Sequence, residues 1–295
     1  MSSFMRLLGA SRYVPTTIVS SAHEYDLFAC ERSAEVDGFS IRIMVHAKTT
    51  RAARAGAAEL TSVLATAVQV LGALTSLRRS PRHITVHALC HPAKRCSDPT
   101  QPLGPEHING GVQMQGPSGQ PLIFVFRTEE MAKVAIHELV HALNVFPSTY
   151  PARLDAEVRP GSSGLALGEA LVDALACYVD ARLRSRDHRR FVENLAKLRR
   201  HVVAKAATVS AHLKRFPEER THAFSYYVAK AALLVHGVPQ LLALLASGSR
   251  SPKRDASCLR LVVDCTRAFL ASARWHSKKP LVRTALRMTP IYARS

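Results

Sequence analysis

Cysteine is scarce and scattered, with Cys30, Cys90, Cys96, Cys177, Cys258 and Cys265 spread over 295 residues. No closely spaced even set is present, which argues against a disulfide-stapled secreted scaffold and leaves reduced thiols as the expectation. Cys90, His91 and Cys96 cluster in the sequence, but a zinc site of that kind needs a second pair nearby, and none is there. Aromatic residues make up only 6% of the chain, with a single Trp. Residues 1–22 lack the continuous apolar core of a signal peptide. Hydropathy further gives the expectation that no uncharged apolar run reaches the roughly 18 to 20 residues of a bilayer crossing. Together these absences predict a soluble, intracellular protein.

Acidic residues are also few: 22 Asp and Glu stand against 40 Lys and Arg, for a formal net charge of +18. The imbalance is local. Residues 182–295 carry 24 of the basic and 6 of the acidic residues, hence the whole excess, while residues 1–181 are neutral. One implication is an anionic partner for the C-terminal half, such as nucleic acid, an acidic protein or a membrane face. The plain alternative is a solvated helical surface.

What is present in quantity is aliphatic: hydrophobic residues reach 47% and mean hydropathy is near zero, as in an ordered globular chain. Residues 1–38 are mixed and give no clear element. Alternation predicts a strand over Phe39 to Ala47, and the Ala- and Leu-rich stretch from Thr49 to Leu77 predicts a long helix capped by Thr49 or Thr50. A second strand is expected over Arg82 to Leu89. Residues 90–120 are rich in proline and glycine and read as loop, with a hairpin turn at Ile108 to Val112. Pro121 to Arg127 reads as an apolar strand, followed by a helix from Glu129 to about Val145 with Thr128 as its cap. A loop over 147–164 precedes an apolar helix from Leu165 to about Arg186, and helical patterns then cover 188–215, 219–236, 238–247 and 256–273. The expected fold is α+β. It has three segments: 1–38, a strand-and-helix half over 39–146, and a helical, basic half over 147–295.

The helix expected after Pro121 to Arg127 contains His137-Glu138-Leu139-Val140-His141. Residues four apart share a helix face, so both imidazoles reach one metal, and Glu138 is offset toward a metal-bound water. Zinc lowers the pKa of such a water to near 7, where a carboxylate can take its proton. The motif alone arises by chance in roughly 3 of 100 chains of this composition. Its setting adds weight, because every flanking residue from Val134 to Phe146 is uncharged. The next helix carries Gly168-Glu169-Ala170-Leu171-Val172-Asp173, two carboxylates one turn apart among apolar neighbours. Left unpaired in such a helix they would cost several kcal/mol. Ligation by Glu169 and a hydrogen bond from a histidine to Asp173 would remove that cost. Exposure to solvent, or pairing with Arg153 or Arg182, would do so too.

These two stretches together resemble the thermolysin-type gluzincins, a family of zinc metallopeptidases. The resemblance covers about 45 residues and implies His137, His141 and Glu169 as zinc ligands, Glu138 as general base and Asp173 as the carboxylate orienting a ligand histidine. It also implies a zincin-like fold, with a small mixed sheet and the motif helix in the N-terminal half and a mainly helical C-terminal half. Gly168 stands where the family usually has Asn, and the spacer of 27 residues between His141 and Glu169 is longer than in thermolysin. No third His is spaced as in the metzincins. The run Ile123 to Leu143, with Phe224-Ser225-Tyr226-Tyr227, is also similar to metallopeptidases of large DNA viruses, which would place the protein with a virus particle.

In gluzincins a His or Tyr of the C-terminal lobe stabilises the oxyanion. On a helix His222, Tyr226 and Lys230 share a face, with Tyr227 beside it, and His222 and Tyr226 are the candidates for that role, ahead of Tyr227. Ordinary helix packing explains each of them equally well. Pro121 to Phe126 or its neighbour 108–115 would offer a sheet edge to an extended substrate. The resulting expectation is a zinc peptidase acting on a peptide or protein. The alternative is a basic nucleic-acid-binding or packaging protein on a non-catalytic zincin fold, and a zinc hydrolase of non-peptide amides is a third reading.

Overall fold

The computed structural model describes residues 9, 11, 13–77, 80–147, 151, 153–159, 166–216, 222–248, 251–272, 284–287 and 289–290. It is an α+β protein. A five-stranded mixed sheet has the order β1-β2-β3-β6-β5, from Phe28–Val36 (β1), Phe39–Ala47 (β2), His83–Leu89 (β3), Gly111–Gln115 (β5) and Pro121–Val125 (β6). The two outer pairs, β1 with β2 and β5 with β6, are antiparallel. The inner pairs, β2 with β3 and β3 with β6, are parallel.

The sheet therefore begins before Phe39. Strand β1 arises from the stretch that gave no clear element, and it pairs with β2 through the turn Asp37-Gly38, where both residues take positive φ (49° and 77°). Asp-Gly is a favoured pair for such two-residue hairpins. β1 escapes notice by alternation because it is an edge strand, exposed along most of its length. The hairpin turn expected at Ile108 to Val112 is corrected: Gly111 and Val112 lie inside β5, and the chain turns at 116–120, where Gly116 N–H donates to Gln120 O at 2.7 Å.

Alternation sends Ile41, Ile43, Val45, Ile84, Val86, Ile123 and Val125 to one face of the sheet. There they meet the helix Thr50–Leu74 (α2, after the short α1 Thr16–Ser21), whose stripe Leu60, Leu64, Ala67, Val68 and Leu71 is fully buried. Its cap is Thr49, which accepts from Ala52 N–H at 3.2 Å. The opposite face, with Leu89, Leu122 and Phe124, is covered by Val14, Ile18 and Ala22 near the N-terminus. Beyond a four-residue helix Pro105–Ile108 (α3) come Met131–Ala142 (α4), Arg153–Val158 (α5), Gly168–Leu183 (α6), His188–Arg215 (α7), Val238–Ala246 (α8) and Pro252–Ala271 (α9). Between α7 and α8 the chain runs through a π-helical stretch Phe224–Ala229, the α turn Lys230–Ala232 and a second π stretch Leu233–Gly237.

Helix α6 is buried on nearly every side, as its lack of a polar face requires, and it packs against α2, α4, α7 and α9. One continuous hydrophobic cluster runs from Phe39 in the sheet to Phe269 in α9 and Leu286. A two-stranded ribbon ties the C-terminal region to the loop after β3, Thr284–Ala285 (β7) pairing with Cys96–Ser97 (β4).

Two helical stretches, Thr50–Leu74 and Phe224–Ala246, are long and apolar enough to cross a membrane by length and composition alone. Neither is uncharged, since Glu59 lies within the first and Lys230 within the second. In the fold, 61% of the second stretch's apolar window is buried inside the protein, and the first packs one stripe on the sheet.

Candidate metal centre

Helix α4 opens in an unusual way. Glu130, just before it, sits in the left-handed region at φ 58°, and no side chain caps the helix, so Thr128 is not the cap expected from sequence. The strained turn drives the Glu130 carboxylate inward. There it pairs with the fully buried guanidinium of Arg95 and accepts from Thr289 N–H at 2.6 Å. A left-handed non-glycine residue costs of order 1 kcal/mol, which the buried ion pair offsets.

From that anchor α4 runs beneath the sheet edge, with all of its residues from Met131 to Val140 buried. Gly111 of β5 permits the close approach. A Cβ on Gly111 would lie 2.7 Å from Val134 Cγ1, 2.9 Å from Phe124 O and 3.1 Å from Glu138 Cγ. The glycine pair read as a turn is thus a place where strand and helix touch.

Helix α6 packs on α4 with the same four-residue period, so its carboxylates fall opposite the histidines. Nε2 of His141 lies 3.1 Å and Nε2 of His137 3.3 Å from one atom, Oε2 of Glu169. Nδ1 of His137 lies 3.0 Å from Oδ1 of Asp173. The four residues on two helices are therefore gathered into one cluster. Asp173 also pairs with Lys133 through Oδ1 and with Lys230 through Oδ2, the latter at 2.8 Å. Lys133 lies just upstream of the uncharged flank and one turn before His137, so the signal for it is helix spacing alone. Lys230 sits where the shared face with His222 and Tyr226 puts it. Neither Arg153 nor Arg182 is the partner of these carboxylates.

The electrostatics follow from burial and pairing. Burial would lower the pKa of His137, but hydrogen bonds to Asp173 and Glu169 outweigh it and raise it to about 9. Burial would raise Glu169, yet the imidazoles of His141 and His137 hold it well below the usual carboxylate range. Asp173 is likewise kept well below, by Lys133 and Lys230 against the effect of burial. Glu138 differs: burial dominates and raises its pKa, so it is the more basic carboxylate of the group.

Above these residues opens a cleft of about 250 Å³, lined by His137, Glu138, His141 and Glu169 and, across from them, by Tyr13, Gln113, Pro147, His222 and Tyr226. The hydroxyl of Tyr226 donates to Glu169 Oε2 at 3.3 Å, and its ring centre is 5.7 Å from that of His137. Burial raises the Tyr226 pKa well above 10, so it stays a proton donor. His222 lines the same cleft, and its Nδ1 is buried without a hydrogen-bond partner among the described residues. Tyr227 turns away and donates to Leu286 O at 2.6 Å.

Could these atoms hold a cation? Metal–ligand bonds of about 2.0–2.1 Å in a tetrahedral shell set donor atoms about 3.3 Å apart. The spacings of 3.1 and 3.3 Å fit that shell. Donor atoms of His137, Glu138 and His141 also lie within 4.8 Å of one another, the one group of this kind among the described residues. Either glutamate could complete a site with the two imidazoles, and Glu169 is the one whose oxygen both Nε2 atoms face. Cys90, His91 and Cys96 form no such group; the His91 nitrogens engage Ser21 Oγ and Ala93 N–H. Comparison with protein-family models, with curated proteins and with solved structures yields no match.

Proposed function

We propose that this protein is a zinc-dependent peptidase with a zincin-like fold, in which His137, His141 and Glu169 hold the metal. The observation that carries this reading is the convergence of two imidazole Nε2 atoms on one carboxylate oxygen at ligand-shell spacing, beside a second buried carboxylate that faces an open cleft. Two nitrogens and one oxygen suit zinc, and three protein ligands leave a position open, as catalytic rather than structural sites do. What zinc supplies when bound is Lewis acidity, toward water and toward a substrate carbonyl.

The remaining work falls to the chain's own side chains. Glu138, the more basic carboxylate, accepts the proton of the attacking water and delivers it to the leaving amine. Asp173 holds the Nδ1–H of His137 and so keeps Nε2 free for ligation. Tyr226 donates a hydrogen bond to the developing oxyanion, with His222 as the second donor on that wall. Strand β5 ends the sheet, and Val112 and Gln113 line the cleft, so a peptide can extend along its free edge.

The packaging alternative rests on the basic C-terminal half. At the corner between α6 and α7 the exposed Arg184, Arg186 and Arg189 pair with Asp180, Asp187 and Glu193, which weakens their attraction for phosphate. The deciding experiment compares wild type with Glu138→Gln for zinc content and for cleavage of a peptide library. One zinc in each, with activity lost only in the variant, is the expected result. Zinc with no cleavage by wild type would turn the assignment toward the packaging role.

A further inference from the structure

Asp173 is fully buried and has more positive partners than it needs. Lys133, on α4 one turn before His137, and Lys230, on the turn after Tyr226, both reach it, and both lysines are only 1% exposed. One ammonium cancels one carboxylate, and a second buried cation is unfavourable to desolvate unless other anions lie near. The other carboxylates that feel Lys133 are Glu130, which Arg95 already pairs, and Glu138 of the candidate metal centre. Asp173 meanwhile offers its Oδ1 to both Lys133 and the ring of His137. A carboxylate bonded to a ligand histidine ordinarily makes the imidazole a stronger donor. Two ammoniums on that carboxylate draw its charge away from the ring.

We propose that Lys133 and Lys230 limit how tightly the centre holds its metal, by absorbing the charge of Asp173 and by adding buried positive charge beside a dication. They are positioning residues that act through Asp173, and the inference rests on the metal reading above. Its consequence is a centre whose cation is less firmly held, and more acidic, than the Asp173–His137 pair alone would give.

The test titrates Zn2+ against a chelating dye into metal-free wild type, Lys133→Met and Lys230→Met, with folding followed by circular dichroism. Each variant still leaves Asp173 one ammonium. Each is expected to bind Zn2+ about tenfold more tightly than wild type, because one buried repulsive charge is gone and His137 becomes the better donor. Lys230→Arg, which keeps the charge, should remain near the wild-type affinity. A merely structural role has the opposite sign, since a loosened Asp173 weakens binding. Unchanged or weaker affinity in a folded Met variant would overturn the proposal, as would failure of both Met variants to fold. A wild type that takes up no Zn2+ removes the metal reading itself, an outcome distinct from a wild type that binds and variants that do not differ.

Discussion

Among the described residues, two pairs of neighbouring histidines each have an aspartate on one Nδ1, and the fold surrounds them differently. On the back of the sheet, Asp26 Oδ1 lies 2.5 Å from Nδ1 of His46, and Nε2 of His46 lies 3.4 Å from Nδ1 of His87. In the cleft, Asp173 holds His137, and the Nε2 atoms of His137 and His141 face Glu169. The back pair is stacked between strands, His87 also against Phe124, and burial pushes the His87 pKa down to about 4. The cleft pair faces carboxylates, which push His137 up to about 9. A buried Asp–His contact is therefore not enough to make a metal-type site. The difference is a second carboxylate that both Nε2 atoms face, together with a wall open to solvent.

Substitution at the two pairs should break this symmetry most sharply in metal affinity. Glu169→Gln is expected to weaken Zn2+ binding more than about a thousandfold, as removal of one of three protein ligands does. His87→Gln should leave it unchanged, and equal losses from the two would refute the distinction. Next in size is the cost of removing each aspartate. Asp173→Asn strands two buried lysines and should lower the stability of the metal-free protein by about 3–5 kcal/mol in urea titrations. Asp26→Asn leaves a neighbour that can stay neutral, and about 1 kcal/mol or less is expected.

The pH dependence is the most diagnostic effect, because the two pairs drive stability in opposite directions with pH. His87 has a folded pKa near 4 against an ordinary value of 6.5, so the unfolded chain binds the extra proton between them. Stability is then lost as pH falls from 6.5 toward 4, by up to about 3 kcal/mol. His137 has a folded pKa near 9, so its contribution is complete below 6.5 and is lost as pH rises through 9. Metal-free protein should be most stable near pH 6.5 on account of these two groups. His87→Leu should flatten the acid limb, and saturating Zn2+ the alkaline one. Denaturant midpoints measured from pH 4.5 to 9.5 would show both, and a single slope across that range would contradict the reading.

Much of the cluster was legible because its spacing is helical. His137 and His141 on one helix, with Glu169 and Asp173 on the next, are each four residues apart, and α-helical geometry alone puts each pair on one face. The strand Phe39–Ala47 and the helix His188–Arg215 were legible for the same reason, since their periods are local. Gly110 and Gly111 misled, because a glycine pair fits a turn and a close approach equally well. Arg95, Glu130 and Thr289 lie far apart in the chain, and no local period joins them. Strand β1 was hidden by its exposure, although Asp37-Gly38 marked its hairpin.

Residue type and spacing by themselves determined which donor atoms each helix presents on a single face, because the rise and twist of an α-helix are nearly constant. They could not determine that α4 and α6 pack with those faces opposed, or which cations share Asp173. Those outcomes depend on how the apolar surfaces of distant segments fit together. Tertiary packing decided that Glu169 meets two imidazoles while Asp173, one turn away, meets an imidazole and two lysines, because only packing fixes which buried charges must neutralise one another.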